Sequence, residues 1–180
     1  MKKLLLFILT CIIALSAFAK GSNMTFMDIP MDCKITKFHK KMIKKGMQYI
    51  PFYNDIMNYN TSRVYKGVFG GEDCFVQISY NPKNKFVTEA KVVIRYPSMD
   101  KCIKLYEDYK PLFQNKYKDG FFKEFEKEGK PVFSILLSEG ERHYGSILMS
   151  YFDNDGYYLC LQYIILDAFQ KNYYERNEDL

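Results

Sequence analysis

The sequence predicts an α+β chain built of two αβββ units, with antiparallel sheets and helices packed on one face. Three observations carry that expectation. Apolar residues recur at helical spacing in two stretches, 36–45 and 99–117. After each stretch the apolar period drops to two over three consecutive runs. Short turns join those runs and leave no length for the crossover that a parallel pair requires.

An entry segment, 26–31, precedes the first helix. Thr36 stands where a cap is favoured, Phe38 and Met42 share a face, and Gly46 can end the helix. Lys37, Lys40, Lys41, Lys44 and Lys45 crowd its other faces, as on a solvated surface. An aromatic segment, 49–59, follows. Runs 63–69, 72–80 and 87–96 read as strands, joined by Gly70-Gly71 and by Asn81-Pro82-Lys83-Asn84, both favourable turn chemistry. In the second run Cys74, Val76, Ile78 and Tyr80 oppose Phe75, Gln77 and Ser79. In the third, Ala90, Val92, Ile94 and Tyr96 oppose Glu89, Lys91, Val93 and Arg95. One face of this sheet is therefore expected to be buried and the other largely wet.

In the second helix, 99–117, Ser98 is the expected cap, and Cys102, Leu105, Tyr106, Tyr109, Leu112 and Phe113 form one buried stripe. Pro111 removes a backbone bond at a cost of about 3 kcal/mol, so a kink or two consecutive pieces are expected. Runs 132–137, 143–152 and 157–166 complete the second unit and are apolar on both faces. Ile147, Met149 and Tyr151 lie opposite Leu148 and Phe152; Leu159, Leu161, Tyr163 and Ile165 lie opposite Tyr158, Cys160, Ile164 and Leu166. Both sides need cover, from the chain's own helices and segment 49–59 or from a partner.

Ahead of all this stand Lys2 and Lys3, an uncharged run at 4–15, and Ser16-Ala17-Phe18-Ala19. A positive start, a short apolar stretch and a small-x-small site make a signal peptide over residues 1–19. The uncharged stretch is shorter than the roughly 20 residues of a membrane-spanning helix. Residues 20–97 and 98–180 then hold the two units, together the size of one compact domain. No transmembrane segment is expected in the mature chain, which is read as periplasmic or extracellular.

Exported cysteines can pair, and Cys33, Cys74, Cys102 and Cys160 remain after cleavage. They allow two disulfides in three pairings that sequence does not rank, or none, since free Cys also behaves as a small buried apolar residue. The absence of Cys-x-x-Cys argues against a zinc ribbon or a redox pair. Losing Lys2 and Lys3 lowers the net charge from +5 to +3, too little for a nucleic-acid partner.

No pattern of catalytic residues emerges. His39 sits among lysines and His143 opens a strand, neither beside a Cys or Ser in a nucleophile arrangement. The glycines match no phosphate loop. Asp153-Asn154-Asp155-Gly156 lacks the later ligands of a calcium loop and reads as a hairpin turn. The expectation is no cofactor and no metal.

The entry Phe26-x-x-Ile29-Pro30 before a lysine-rich helix, Gly67-x-Phe69-Gly70, Lys116-Tyr117 after a tyrosine-bearing helix, and the end Glu178-Asp179-Leu180 resemble small exported proteins of unknown function from Bacteroides and its relatives. Asp28 and Lys118 stand where glycine is expected in those motifs. The resemblance implies no catalytic residues. At fold level the repeat looks like the tandem architecture of beta-lactamase-inhibitor-type and PepSY-type periplasmic modules.

The expected function is thus a noncatalytic binding or inhibitor-like module for an envelope protein or glycan. Its contacts are sought in the aromatic segment (Tyr49, Phe52, Tyr53, Tyr59) or on the second sheet (Tyr151, Tyr158, Tyr163). The alternative is a small envelope hydrolase using carboxylates that the sequence does not pair. N-terminal sequencing of the exported product should place its first residue at Lys20; a mature chain that kept residues 4–15 would overturn both the leader and the compartment.

Overall fold

The computed structural model describes residues 24–51 and 61–166. The leader, Phe52, Tyr53, Tyr59 and the acidic end at 178–180 lie outside them. The chain opens with a small hairpin, β1 (Thr25–Phe26) and β2 (Ile29–Pro30). Met27 and Asp28 turn it with φ of 50° and 59°, a left-handed conformation that Asp tolerates and glycine adopts freely. The Asp28 carboxylate also takes the ammonium of Lys45 at 3.1 Å.

Helix α1 (Ile35–Lys44) starts one residue earlier than expected, and neither Thr36 nor the N-cap Lys34 caps it through a side chain. Backbone pairing does the work instead. Lys34 bridges Phe86, and the Ile35 amide donates to Lys85 O at 2.8 Å, so the loop before β6 satisfies the helix start. Gly46, at φ 86°, ends it.

Then come β3 (Gln48–Tyr49), β4 (Ser62–Phe69), β5 (Glu72–Tyr80) and β6 (Val87–Tyr96). Helix α2 (Met99–Lys116) leads to β7 (Phe121–Lys127), β8 (Lys130–Glu139), β9 (Arg142–Asp153) and β10 (Tyr157–Ile165). Each helix thus precedes four strands, not three. The added strands are hard to read from sequence: β3 has two residues, and β7 (FFKEFEK) is a mostly exposed, charge-rich edge. A two-residue turn, Glu128-Gly129 with φ of 54° and 72°, was the available sign of the β7–β8 hairpin.

The main sheet has eight antiparallel strands in the order β3-β4-β5-β6-β10-β9-β8-β7. The two four-strand runs are therefore halves of one sheet, joined where β6 pairs β10 in the register Ile94↔Leu159, Val92↔Leu161, Ala90↔Tyr163. Those six side chains share one face and are all at most 4 % exposed. On the same face lie Val76 and Ile78 of β5 and Ile147 and Met149 of β9, over which α1, α2 and the entry hairpin close a single core. The helices pack on one face, as expected.

α2 is one helix with Pro111 inside it, not two pieces. Cys102, Tyr106, Tyr109 and Phe113 are buried on both sides of the proline, so packing holds the turns together where the backbone bond is missing. Leu112 lies off that stripe and is 62 % exposed. Among the described residues Cys33, Cys74, Cys102 and Cys160 are free and buried, and Cys160 faces away from the core that holds Cys74 and Cys102.

Gly70 and Gly71 make the β4–β5 turn with φ of 61° and 90°. A Cβ on Gly70 would overlap the Tyr109 hydroxyl, whereas one on Gly71 meets open space. Gly71→Ala should cost the left-handed penalty alone, about 1–2 kcal/mol. Gly70→Ala should cost at least about 1 kcal/mol more, because the Tyr109 ring must move. Equal losses in urea unfolding would show that the turn does not rest on that ring.

Candidate functional site

Among the described residues, α1 and α2 cover one face of the sheet and no helix lies on the other, the broad surface on which a site can form. Strand alternation places Val68, Phe75, Phe121 and Phe125 there, exposed by 54, 46, 66 and 40 %. Lys66, Lys91, Arg95, Lys123 and Lys130 share this face with Asp73 and Glu89. Between the two edges the register aligns a row across four strands. Lys130 Nζ lies 5.1 Å from the Phe152 ring, Phe152 stacks on Tyr158 at 5.5 Å and 24°, and the Arg95 guanidinium lies 5.9 Å from Tyr158. Tyr158↔Phe152 and Tyr158↔Arg95 are register pairs, so the ladder itself creates the row. The β9–β10 turn fixes its end: Arg95 Nη2 donates to Asp155 O at 3.2 Å, and Gly156 leaves room for the arginine.

Around the same arginine the sheet end forms a cleft of about 560 Å³, walled by Glu72 and Asp73 of β5, Arg95 and Tyr96 of β6, and Lys101, Lys104 and Asp108 of α2. Smaller hollows beside Gly156 and Phe75 also have Arg95 in their walls. The Tyr96 hydroxyl, on a residue 9 % exposed, is buried beside the Glu72 carboxylate, which accepts from it. Burial, and then the negative charge of Glu72, push its ionisation up, so it is a neutral donor at physiological pH.

A second aromatic cluster forms near the opposite edge. His39 of α1 shares a 3.0 Å hydrogen bond from Nδ1 with the Tyr65 hydroxyl and sets its ring edge-on to Tyr49 at 5.3 Å. Arg63 lies 5.9 Å from the Tyr49 ring. Burial raises Tyr65 to about 12, while burial and then the charge of Arg63 lower His39.

Of the residues sought from sequence, Tyr158 belongs to the open-face row and Tyr49 to the His39 cluster. Tyr163 is corrected: it is 4 % exposed in the core, against Phe26 and Phe113. Tyr151 is corrected too, because it lies on the helix side, edge-on to Tyr106 of α2. Alternation puts both on the face opposite Tyr158. Arg95, Lys130 and Phe152 were missed as a group, since only the register of three strand pairs brings them together.

Ser138 Oγ and His143 Nδ1 lie 2.7 Å apart across a bulge in β8–β9, a contact that 1-D spacing hid. The pair is exposed at a hairpin end, with no carboxylate on the imidazole's other nitrogen among the described contacts, so it lacks the third group that orients a catalytic base. Burial is the leading cause of a raised pKa in all four thiols, with Cys74 at about 11, which leaves them protonated and weakly nucleophilic at neutral pH. Among the described residues no three His, Cys, Asp or Glu side chains are grouped to hold a metal, and no helix is long and apolar enough to cross a membrane. Compared with known proteins, the chain matches no family model, no curated protein and no solved structure.

The lowered pKa of His39 gives stability a defined pH dependence. Between the folded value and the unfolded 6.5 the unfolded chain binds more protons, so stability is complete above 6.5 and falls as the pH drops through that window. The urea midpoint should therefore be lower at about pH 5.5 than at about pH 7.5. That difference should shrink in His39→Gln; an unchanged difference would assign it to other groups.

Proposed function

We propose that the chain is an exported, noncatalytic binding module that takes an acidic protein surface on the open face of its sheet. The row Lys130–Phe152–Tyr158–Arg95 carries this reading. Its rings stack on each other and each has a cation over it, so their faces are occupied. A sugar, which packs flat on an open aromatic face, finds no platform there. What the row offers outward is two positioned cations and ring edges, beside the exposed Phe75 and Phe125. That combination suits a protein partner with carboxylates and an apolar rim. The basic excess on the face favours the same choice. The leader pattern in the sequence and the sheet order, with four strands after each helix, support reading it as an inhibitor-like module of the envelope.

Affinity capture from the envelope extract of the source cell, with the mature chain as bait, tests the proposal. The parent should retain an acidic protein that elutes with salt, because rim charges are screened. Tyr158→Ala and Lys130→Glu should each weaken that capture by about 1–2 kcal/mol or more without lowering the melting temperature appreciably. Equal capture by parent and variants would remove the open face as the binding surface.

A further inference from the structure

Helix α1 carries Lys37, Lys40, Lys41 and Lys44 and no acidic residue. At 3.6 residues per turn Lys37, Lys40 and Lys44 fall within about 60° of one another, on the side opposite the buried Ile35, Phe38 and Met42. Lys41 flanks them on one side and Ile43, 45 % exposed, on the other. The four lysines stand three or four apart, so neighbours along the helix repel. Lys37 adds a second cost, since a cation in the first turn opposes the helix dipole. Helix α2 shows the usual remedy: Asp100 occupies its first turn, and Lys110 pairs with Glu107 and Glu124. On α1 that remedy is missing.

The basic surface continues past the start of the helix. Lys34 bridges Phe86 in an antiparallel pair, so the two side chains leave the backbone on the same side. Both are exposed, Phe86 by 40 %. The loop 81–86 adds the exposed Lys83 and Lys85. Over residues 32–45 and 81–86, eight lysines stand against Asp32 alone. Lys45 is the one of them whose ion pair with a described carboxylate, that of Asp28, offsets its charge.

We infer that this surface docks on an anionic lipid bilayer, with the lysines over the headgroup phosphates and Ile43 and Phe86 at the apolar boundary. An anionic leaflet attracts each lysine held near it and relieves the repulsion along α1. Lysine is a point charge without the fork that fixes one carboxylate, so an all-lysine face suits a field of headgroups. Exposed apolar side chains near both ends of the row favour a bilayer over a soluble polyanion, which has no apolar phase to receive them. The fold sets the orientation. His39 of α1 reaches the Tyr65 hydroxyl at 3.0 Å, and Tyr65 pairs Val76 on the helix-covered face of the sheet. A chain lying on α1 therefore turns the Lys130–Phe152–Tyr158–Arg95 row away from the membrane.

Sedimentation of the mature chain with vesicles tests the inference, comparing phosphatidylcholine alone with phosphatidylcholine containing about 30 mol% phosphatidylglycerol, in about 0.1 M salt. The anionic vesicles should bind at least about tenfold more tightly than the neutral ones. The triple change Lys37→Gln, Lys40→Gln, Lys44→Gln, at exposed positions, should cut that preference below about threefold. Ile43→Ser should weaken binding to the anionic vesicles by about threefold or more, yet leave binding to dextran sulfate unchanged. Equal binding to both vesicle types, no binding to either, or a triple variant that behaves as the parent would overturn the inference. Vesicle binding indifferent to Ile43→Ser would overturn it too, and would assign the face to a soluble acidic polymer. None of these positions lies on the Phe152–Tyr158 row, so failure here leaves the open-face reading standing.

Discussion

The pairing of β6 with β10 is the constraint on which the rest of the structure depends. It makes one sheet of two four-strand halves, and its register puts Ala90, Val92 and Ile94 beside Tyr163, Leu161 and Leu159 on the face that the helices cover. A slip of one residue on β10 would turn Tyr158, Cys160 and Gln162 into the core and Leu159, Leu161 and Tyr163 out to solvent. No such slip is tolerable when the inner set is this completely buried. The same register sets Arg95 opposite Tyr158, so core packing and the cationic row are two consequences of one ladder.

Covering a single face explains both the aromatic content and its distribution. α2 carries Tyr106, Tyr109, Phe113 and the adjoining Tyr117 as a ring-rich stripe, wide enough to span β9, β10 and β6. Large rings close the layer, but they bring hydroxyls with them. Those of Tyr106, Tyr109 and Tyr117 are buried without partners, each a desolvation cost of about 1–3 kcal/mol. Gly70 is what allows the Tyr109 ring to close under the β4–β5 turn at all.

Much of this architecture could be read from the chain because it follows from periodicity. The strands with clean alternation, β5 and β6, match their expected bounds, and the inner and outer sets of β5, β6, β9 and β10 are those the sequence implies. What failed was physical in each case. Thr36 lost its capping role to a backbone bond from the loop before β6, which no local pattern records. β7 went unseen because an exposed edge strand needs no apolar face. The site was only partly readable, since parity distinguishes Tyr158 from Tyr151 and Tyr163, but which parity faces the helices depends on where the helices pack. Arg95 had no signal of its own; its neighbours come from β5, β10, α2 and the β9–β10 turn.

Arg95 ties the open face to the end of the sheet. Its guanidinium has five donors, of which the structure commits one to Asp155 O. That carbonyl belongs to the β9–β10 turn, so the bond holds the turn against β6 beyond the last register pair, Tyr157↔Tyr96. The same guanidinium lies beside the Tyr158 ring, on which Phe152 stacks, so turn, ladder and ring stack constrain one side chain together. A cation held on three sides loses little freedom when a carboxylate approaches, which is what a preorganised contact requires. Asp73 faces the same side of the sheet from β5 and lines the same hollow, and its charge tempers that of the arginine. The open face therefore offers a cation whose position is set by the β6–β10 register and whose strength is set by the neighbouring strand.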